Sequence, residues 1–301
     1  RLVWPFPQTL GRDGLDVAFF QYLAPLFCPV PYVVNIHDII HETNPEFFPG
    51  KLRRLMSLLY PRSARRAAFV TAVSEYSRRM IMKHYDIPPE RIACVYNGVS
   101  PEFRPVDDPE RITVVLKKYG LSRPYILFVG RIEPRKNLPG LFRAFERLTY
   151  RGDFPHKLVV AGMKDALFED FFRTMTGRAK ENAIFTGKVD QKDLSVLYAA
   201  ADLLTYPSFA EGFGLPIIEA MACGTPVVCS NTSSMPEVAG DAALFVEPHD
   251  EAAIADAMRR VLTQPELAKG MREKGLAMAR RFTWEETARG LLRIIRQAAG
   301  S

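Results

Sequence analysis

Short apolar runs of four or five residues alternate in this chain with longer stretches of helical periodicity. That alternation restricts the fold to parallel α/β. The clearest runs are Tyr32 to Ile36, Phe69 to Ala72, Tyr125 to Val129, Lys157 to Ala161 and Pro226 to Cys229. A strand covered on both faces reads as such an unbroken run, without in-and-out alternation. Asp16 to Phe20, Ile92 to Val95, Ala183 to Phe185 and Asp202 to Tyr206 extend the set, with Ala243 to Val246 as an edge strand. Pro101, Pro105 and Pro109 stand among polar residues and predict a linker, followed by a helix over 111–119. From about Glu251 the pattern is helical to the end. Leu291, Leu292, Ile294 and Ile295 predict a last helix docked by its apolar residues.

With 301 residues the chain has length for two domains. No apolar run approaches the eighteen residues that a membrane span needs. Cys28, Cys94, Cys223 and Cys229 lack paired metal spacing and are read as buried thiols in a reducing cytosol. The net charge of +6 is unevenly placed. Between Phe47 and Ser74 there is no acid, while Lys51, Arg53, Arg54, Arg62, Arg65 and Arg66 all fall there. Leu52, Leu55, Met56 and Leu59 recur at helical spacing, the ordinary sign of leucines packed on their own domain. The other reading of this basic helix, 51–66, is contact with an anionic membrane or acceptor. Nucleic acid is not expected as a partner, because no aromatic-plus-basic interleaving accompanies the charge.

The segment Ala210-Glu211-Gly212-Phe213-Gly214-Leu215-Pro216-Ile217-Ile218-Glu219-Ala220 carries the chemistry. Gly212 and Gly214 let the backbone bend sharply and approach a ligand. Pro216 opens an apolar helix, whose first amides and positive dipole end face what precedes them. Glu211 lies in the loop and Glu219 one turn inside the helix. An anion held by backbone, beside hydroxyls held by carboxylates, describes a nucleotide diphosphate sugar. A second basic element, Gly130-Arg131-Ile132-Glu133-Pro134-Arg135-Lys136-Asn137, follows the strand 125–129, at the carboxyl edge where such sheets bind ligands. Arg131 offers a fork of donors and Lys136 a compact charge. His37 and His41 do not have the order of a zincin motif, so no metal is expected.

These segments, together with Asn35-Ile36-His37-Asp38, Thr71-Ala72-Val73-Ser74-Glu75-Tyr76-Ser77, Val95-Tyr96-Asn97-Gly98-Val99, Thr186-Gly187-Lys188-Val189 and Phe282-Thr283-Trp284-Glu285, resemble the family-4 retaining glycosyltransferases of GT-B fold. The resemblance begins near Asp16 and is similar in its His37 region to bacterial mannosyltransferases of polysaccharide assembly. It implies two Rossmann-like domains facing across a cleft: 1–105 on the acceptor side, 106–283 binding the nucleotide sugar, and a helix 284–301 packing back on the first domain. The family's glycine-rich first turn has no counterpart, so the N-terminal domain is expected to be incomplete.

Carried over by position, the resemblance assigns the diphosphate to Arg131 and Lys136, helped by amides from Gly214 to Ile217. The ribose falls to Glu219 and the base edge to Val189. Hydroxyls of the transferred sugar fall to Glu211 with Gly212, Phe213, Gly214 and Leu215, and His37 is expected near the reactive carbon. Ser74, Asn97 and Gly98 are expected on the acceptor side with His37. The catalytic set is thus His37, Glu211, Arg131 and Lys136. No cofactor or metal is implied, because the nucleotide sugar is a substrate. GDP-mannose is the expected donor, with UDP-glucose or a UDP-N-acetylhexosamine as the alternative, and a lipid-linked oligosaccharide the acceptor. A nucleotide-sugar-binding module without turnover is the competing class. The expected location is cytoplasmic, peripheral on the inner face of the membrane.

Overall fold

The computed structural model describes residues 10, 12–150, 154–163, 172, 173, 175 and 177–300. They form two compact units. One comprises the residues up to Gly98, Glu211–Phe213 and those from Thr283 onward; the other comprises Val99–Ala210 and Gly214–Phe282.

The first unit holds a parallel four-stranded sheet in the order β1 (Ala18–Gln21), β2 (Tyr32–Ile36), β3 (Phe69–Ala72), β4 (Ile92–Cys94). Successive residues of β2 point to opposite faces. Val34 and Ile36 join a core with Tyr60, Ile81 and Tyr85, and Val33 meets Ile294 and Ala298 on the other side. Those last two come from the helix Trp284–Ala299, which therefore covers one face of this sheet. Thr283 caps the helix by accepting from Glu286 N at 3.2 Å, and the Thr287 hydroxyl donates to the Tyr96 carbonyl at 2.7 Å. Leu292, expected among its docking residues, is instead 46 % exposed, because the helix turns Ile294 and Ala298 inward.

The basic helix runs Gly50–Arg66. Its inner face is set by Met56, Tyr60, Ser63 and Ala64. Small Ser63 and Ala64 allow close approach, and the Ser63 hydroxyl accepts from Ala24 N at 3.0 Å. The expected packing of the Leu52, Leu55, Met56 and Leu59 row on its own domain holds for Met56 and the half-buried Leu59 and fails for the other two leucines. Leu52 and Leu55 are 47 % and 53 % exposed, and Leu58 joins them at 68 %. Cys28 and Cys94 also depart from expectation, being half-buried where Cys223 and Cys229 are buried.

The second unit is a parallel six-stranded sheet in the order β10 (Ala243–Val246), β9 (Val227–Ser230), β8 (Leu203–Tyr206), β5 (Tyr125–Val129), β6 (Lys157–Ala161), β7 (Ala183–Gly187). Every residue of β5 is buried, as the unbroken apolar run requires. The chain winds outward from β5 through β6 to β7, then returns to place β8 on the other side of β5. The strand order therefore reverses between β5 and β8, and the loops leaving these two strands open a crevice at the carboxyl edge. The helix expected over 111–119 begins earlier, as Pro109–Lys118. Asp108 caps it by accepting from Glu110 N and Arg111 N, both at 3.0 Å, and Pro109 occupies the first turn, where its missing N–H costs nothing.

Candidate functional site

The loop leaving β5 is built to deliver Lys136. Gly130, at φ +153°, ends the strand in a conformation that a side chain would strain. A short 3₁₀ turn, Pro134–Lys136, follows, and Asn137 at φ +54° starts the helix Leu138–Thr149. Asparagine tolerates this left-handed conformation. Its side chain accepts from Gly140 N at 3.2 Å and donates to the Pro248 carbonyl at 2.6 Å. So fixed, the turn buries Lys136, which is only 7 % exposed. Its ammonium donates to the Tyr206 hydroxyl and stands 4.9 Å from the centre of that ring. Tyr206 ends β8, so the lysine reaches across from one side of the strand reversal to the other. Arg131 lies on the same loop and is exposed. Arg135, which the sequence did not single out, tethers the loop, donating to the Ala210 carbonyl at 3.0 Å and pairing with Glu133 at 2.7 Å.

The loop leaving β8 leads to Gly214, left-handed at φ +97°, and then to the helix Leu215–Ala222. No side chain caps this helix, and its first turn holds no acid. Pro216 has no N–H and the Ile217 amide donates to the Gly214 carbonyl at 2.9 Å, so the Leu215 amide and the helix dipole make the anion-binding end, next in sequence to the loop that follows Tyr206. Ile217, Ile218, Ala220 and Met221 are buried, leaving Glu219 as the helix's one ionisable side chain. Glu219 accepts from the Tyr198 hydroxyl at 2.8 Å. Burial pushes its carboxyl up to about 7, and the Tyr198 bond opposes that rise. Val189 lies in the loop after β7, with its side chain half-buried. The six-stranded unit therefore brings Lys136 and the helix end of Gly214 and Leu215 to the two strands flanking the reversal. Glu219 stands on that same helix.

The remaining expected residues belong to the four-stranded unit. His37 follows β2. Its Nε2 lies 2.6 Å from Gln21 Oε1 and 3.2 Å from Asn35 Nδ2, and Asn35 in turn accepts from the Thr71 hydroxyl at 3.0 Å. The ring stacks on Tyr22, with centroids 5.0 Å apart. Tyr22 is held at φ +60°, a conformation that costs an aromatic residue on the order of 1–3 kcal/mol. Burial lowers the imidazole below its ordinary value, with Asp38 opposing, so His37 is neutral at physiological pH.

Gly212 packs on this histidine. A Cβ there would fall 2.6 Å from the His37 carbonyl oxygen and 2.9 Å from the Asp38 Cβ. Ser74 accepts from Ser77 N at 3.0 Å as the cap of the helix Glu75–Tyr85, and donates to the Gly212 carbonyl at 2.7 Å. The Ser77 hydroxyl donates to the His37 carbonyl at 2.9 Å. These two serines pin the Gly212 backbone beside His37. Glu211 and Phe213 are buried on either side of Gly212, and the Phe213 ring is 6.3 Å from that of Tyr96. Asn97 is half-buried. Gly98 has a packing role, since a Cβ there would come within 2.2 Å of Trp284 N.

Ser77 and Arg135 stood inside quoted motifs without an assigned role, and Gln21, Tyr22, Tyr198 and Tyr206 escaped the sequence analysis. Each acts on a partner distant in the chain, and the last four belong to no local motif. His41 is fully buried against Tyr60, with Nε2 3.3 Å from the Tyr85 hydroxyl. Among the described residues no group of three or more His, Cys, Asp or Glu side chains could hold a metal.

Residues 116–278 match the family described as Glycosyl transferases group 1, and residues 2–103 match Glycosyltransferase Family 4. The chain is 37 % identical over 293 residues to O-antigen chain mannosyltransferase B of Escherichia coli, covering 95 % of this chain and 76 % of that protein. It is 32 % identical over 265 residues to the serotype-specific mannosyltransferase WbdA of Escherichia coli, covering 86 % of this chain and 32 % of WbdA. Sucrose-phosphate synthase from Thermosynechococcus elongatus shares the fold with a TM-score of 0.80 at 22 % identity, over 98 % of this chain and 77 % of that one.

Proposed function

Because the chain belongs to the group 1 glycosyl transferases and has the GT-B fold, we propose that it moves mannose from GDP-mannose to a hydroxyl of a growing, lipid-linked oligosaccharide, with retention of configuration. One observation carries the reading. Adjacent parallel strands deliver a buried lysine and an uncapped helix N-terminus to the place where the strand order reverses. This is where an α/β sheet of this kind binds ligands, and both elements suit a diphosphate. Mannose and the acceptor class are supported by the names of the Escherichia coli relatives.

In the proposed reaction the bond from C1 to the phosphate oxygen lengthens, and positive charge spreads over the sugar ring. Negative charge grows on the leaving diphosphate, which Lys136, Arg131 and the dipole and Leu215 amide at the start of the Leu215–Ala222 helix stabilise. The acceptor oxygen attacks from the face that the phosphate leaves, and the phosphate takes its proton. Glu219 accepts from the ribose hydroxyls and the Val189 backbone meets the base. Glu211 and the neutral His37 bind hydroxyls of the transferred sugar, with Gly212 and Phe213 shaping the Glu211 loop. No metal or other cofactor enters the scheme.

Thermal-shift titration with GDP-mannose, UDP-glucose and UDP-N-acetylglucosamine, then mass analysis of an oligosaccharide acceptor with chelator present, tests this. GDP-mannose is expected to stabilise the protein and to add one hexose to the acceptor. Stabilisation by the UDP-sugars alone would reassign the donor. Binding of GDP-mannose with neither hydrolysis nor transfer would identify a binding module.

The same scheme places the protein at the inner face of an anionic membrane, through the Gly50–Arg66 helix. Among the described residues no helix is long and apolar enough to cross a membrane. Exposed Leu55 and Leu58 project among Lys51, Arg54, Arg62 and Arg65 on the outward side of that helix, a surface suited to acidic headgroups and the acyl boundary beneath. Flotation with vesicles containing phosphatidylglycerol should carry the protein upward, and Leu55→Asp with Leu58→Asp should abolish this. Equal flotation on neutral phosphatidylcholine vesicles would remove the acidic headgroups from the account, and none on either would remove the membrane.

A further inference from the structure

We infer that Tyr198 is a positioning residue for donor binding: its phenol fixes the orientation and the charge state of Glu219 that the ribose requires. The inference rests on the donor reading above and extends it to a residue in another helix.

Tyr198 belongs to the helix Gln191–Ala200 and is fully buried. Its ring meets the edge of Phe103, centroids 5.8 Å apart, and its carbonyl accepts from the Thr225 hydroxyl at 2.6 Å. The phenol therefore has a fixed place from which to donate to Glu219 Oε2 at 2.8 Å. A single donor on one carboxylate oxygen sets the plane of the group and leaves Oε1 to accept from a ligand.

The charges around the pair point the same way. Burial, followed by the charge of Glu219, raises the Tyr198 phenol far above its usual range, so it remains a donor at any working pH. Burial opposes ionisation of Glu219, and the Tyr198 hydrogen bond favours it. Burial and then the Glu219 charge raise the thiol of Cys223, just past that helix, and Tyr206 of β8 adds a smaller part to the rise of the Tyr198 phenol. Arg272, on the packed helix Pro265–Ala279, lies beside Gly224. A ribose diol donates most strongly to an ionised carboxylate. Tyr198 thus controls how much of Glu219 is in the binding-competent form near neutral pH.

The test is calorimetric titration of GDP-mannose, whose doubly esterified diphosphate does not titrate in this range, into the wild-type protein, Tyr198→Phe, Glu219→Gln and Glu219→Ala from pH 6 to 9, with kcat at saturating donor. Wild-type affinity is expected to rise with pH through about 7. Tyr198→Phe should bind about tenfold more weakly at pH 7, recover most but not all of that by pH 9, where the charge is restored and the orienting bond is not, and retain kcat. Glu219→Gln, which cannot ionise, should bind weakly with no pH dependence. An unmoved pH midpoint in Tyr198→Phe, or a loss equal at every pH, would overturn the inference; so would a pH-dependent Glu219→Gln. Unchanged affinity in Glu219→Ala would instead defeat the ribose assignment itself. Weakened binding there with an unshifted Tyr198→Phe profile would defeat the tyrosine's role alone.

Discussion

Lys136→Met is expected to lower kcat about a hundredfold or more, the loss typical when one charge-stabilising donor is removed from a water-poor site. The methionine keeps the length of the side chain and fills the same space, so the fold should survive. Lys136 is buried, held by the hydroxyl and ring face of Tyr206. Burying an ammonium costs free energy that packing alone does not return. In the proposed reaction its charge faces the diphosphate, whose negative charge grows as the sugar leaves. The measurement is steady-state transfer kinetics beside a melting curve. Near-normal kcat in a folded Lys136→Met protein would take the lysine out of the reaction. A loss confined to KM would make it a ground-state contact only.

Gly162→Ala should act through the backbone. A Cβ at this position, just after β6, would stand 1.8 Å from the Gly130 carbonyl oxygen, closer than any relaxation of a side chain can relieve. The two segments are tied where they meet, since Gly130 N donates to the Ala161 carbonyl and Gly162 N to the Gly187 carbonyl, both at 3.0 Å. Either the β5 turn or the end of β6 must move, at a cost of about 1–3 kcal/mol, the range for overpacked interiors. The melting temperature should fall by several degrees. GDP affinity should fall as well, because the displaced turn carries Arg131. An unchanged melting temperature would show that the junction is looser than its geometry indicates. A lower one with normal GDP affinity would separate the junction from the site.

The strands were legible wherever burial on both faces wrote an unbroken apolar run. Tyr32–Ile36, Tyr125–Val129 and Lys157–Ala161 lie where the run alone put them. Helix starts were less legible when a proline stood at them. Pro109 reads as linker until Asp108 is seen to cap the helix behind it. Periodicity gave the Gly50–Arg66 helix but misjudged its inner face. Leucines at helical spacing suggest a core, yet the tight approach to the sheet is made by Ser63 and Ala64, and Leu55 turns outward. In the candidate site, residues that act within one segment were legible: Gly214, Pro216 and Glu219 define a helix end by sequence alone. Residues that act across segments were not. The Tyr198 bond to Glu219 spans 21 positions and the Lys136 bond to Tyr206 spans 70, so neither leaves a local pattern.

A crystal structure of the protein with GDP bound tests the central claim most directly. The account predicts the diphosphate within hydrogen-bonding distance of Lys136 Nζ and the Leu215 amide at the start of the Leu215–Ala222 helix, with the ribose hydroxyls on Glu219 Oε1. A diphosphate bound elsewhere on the six-stranded sheet, or a ribose turned away from Glu219, would contradict it.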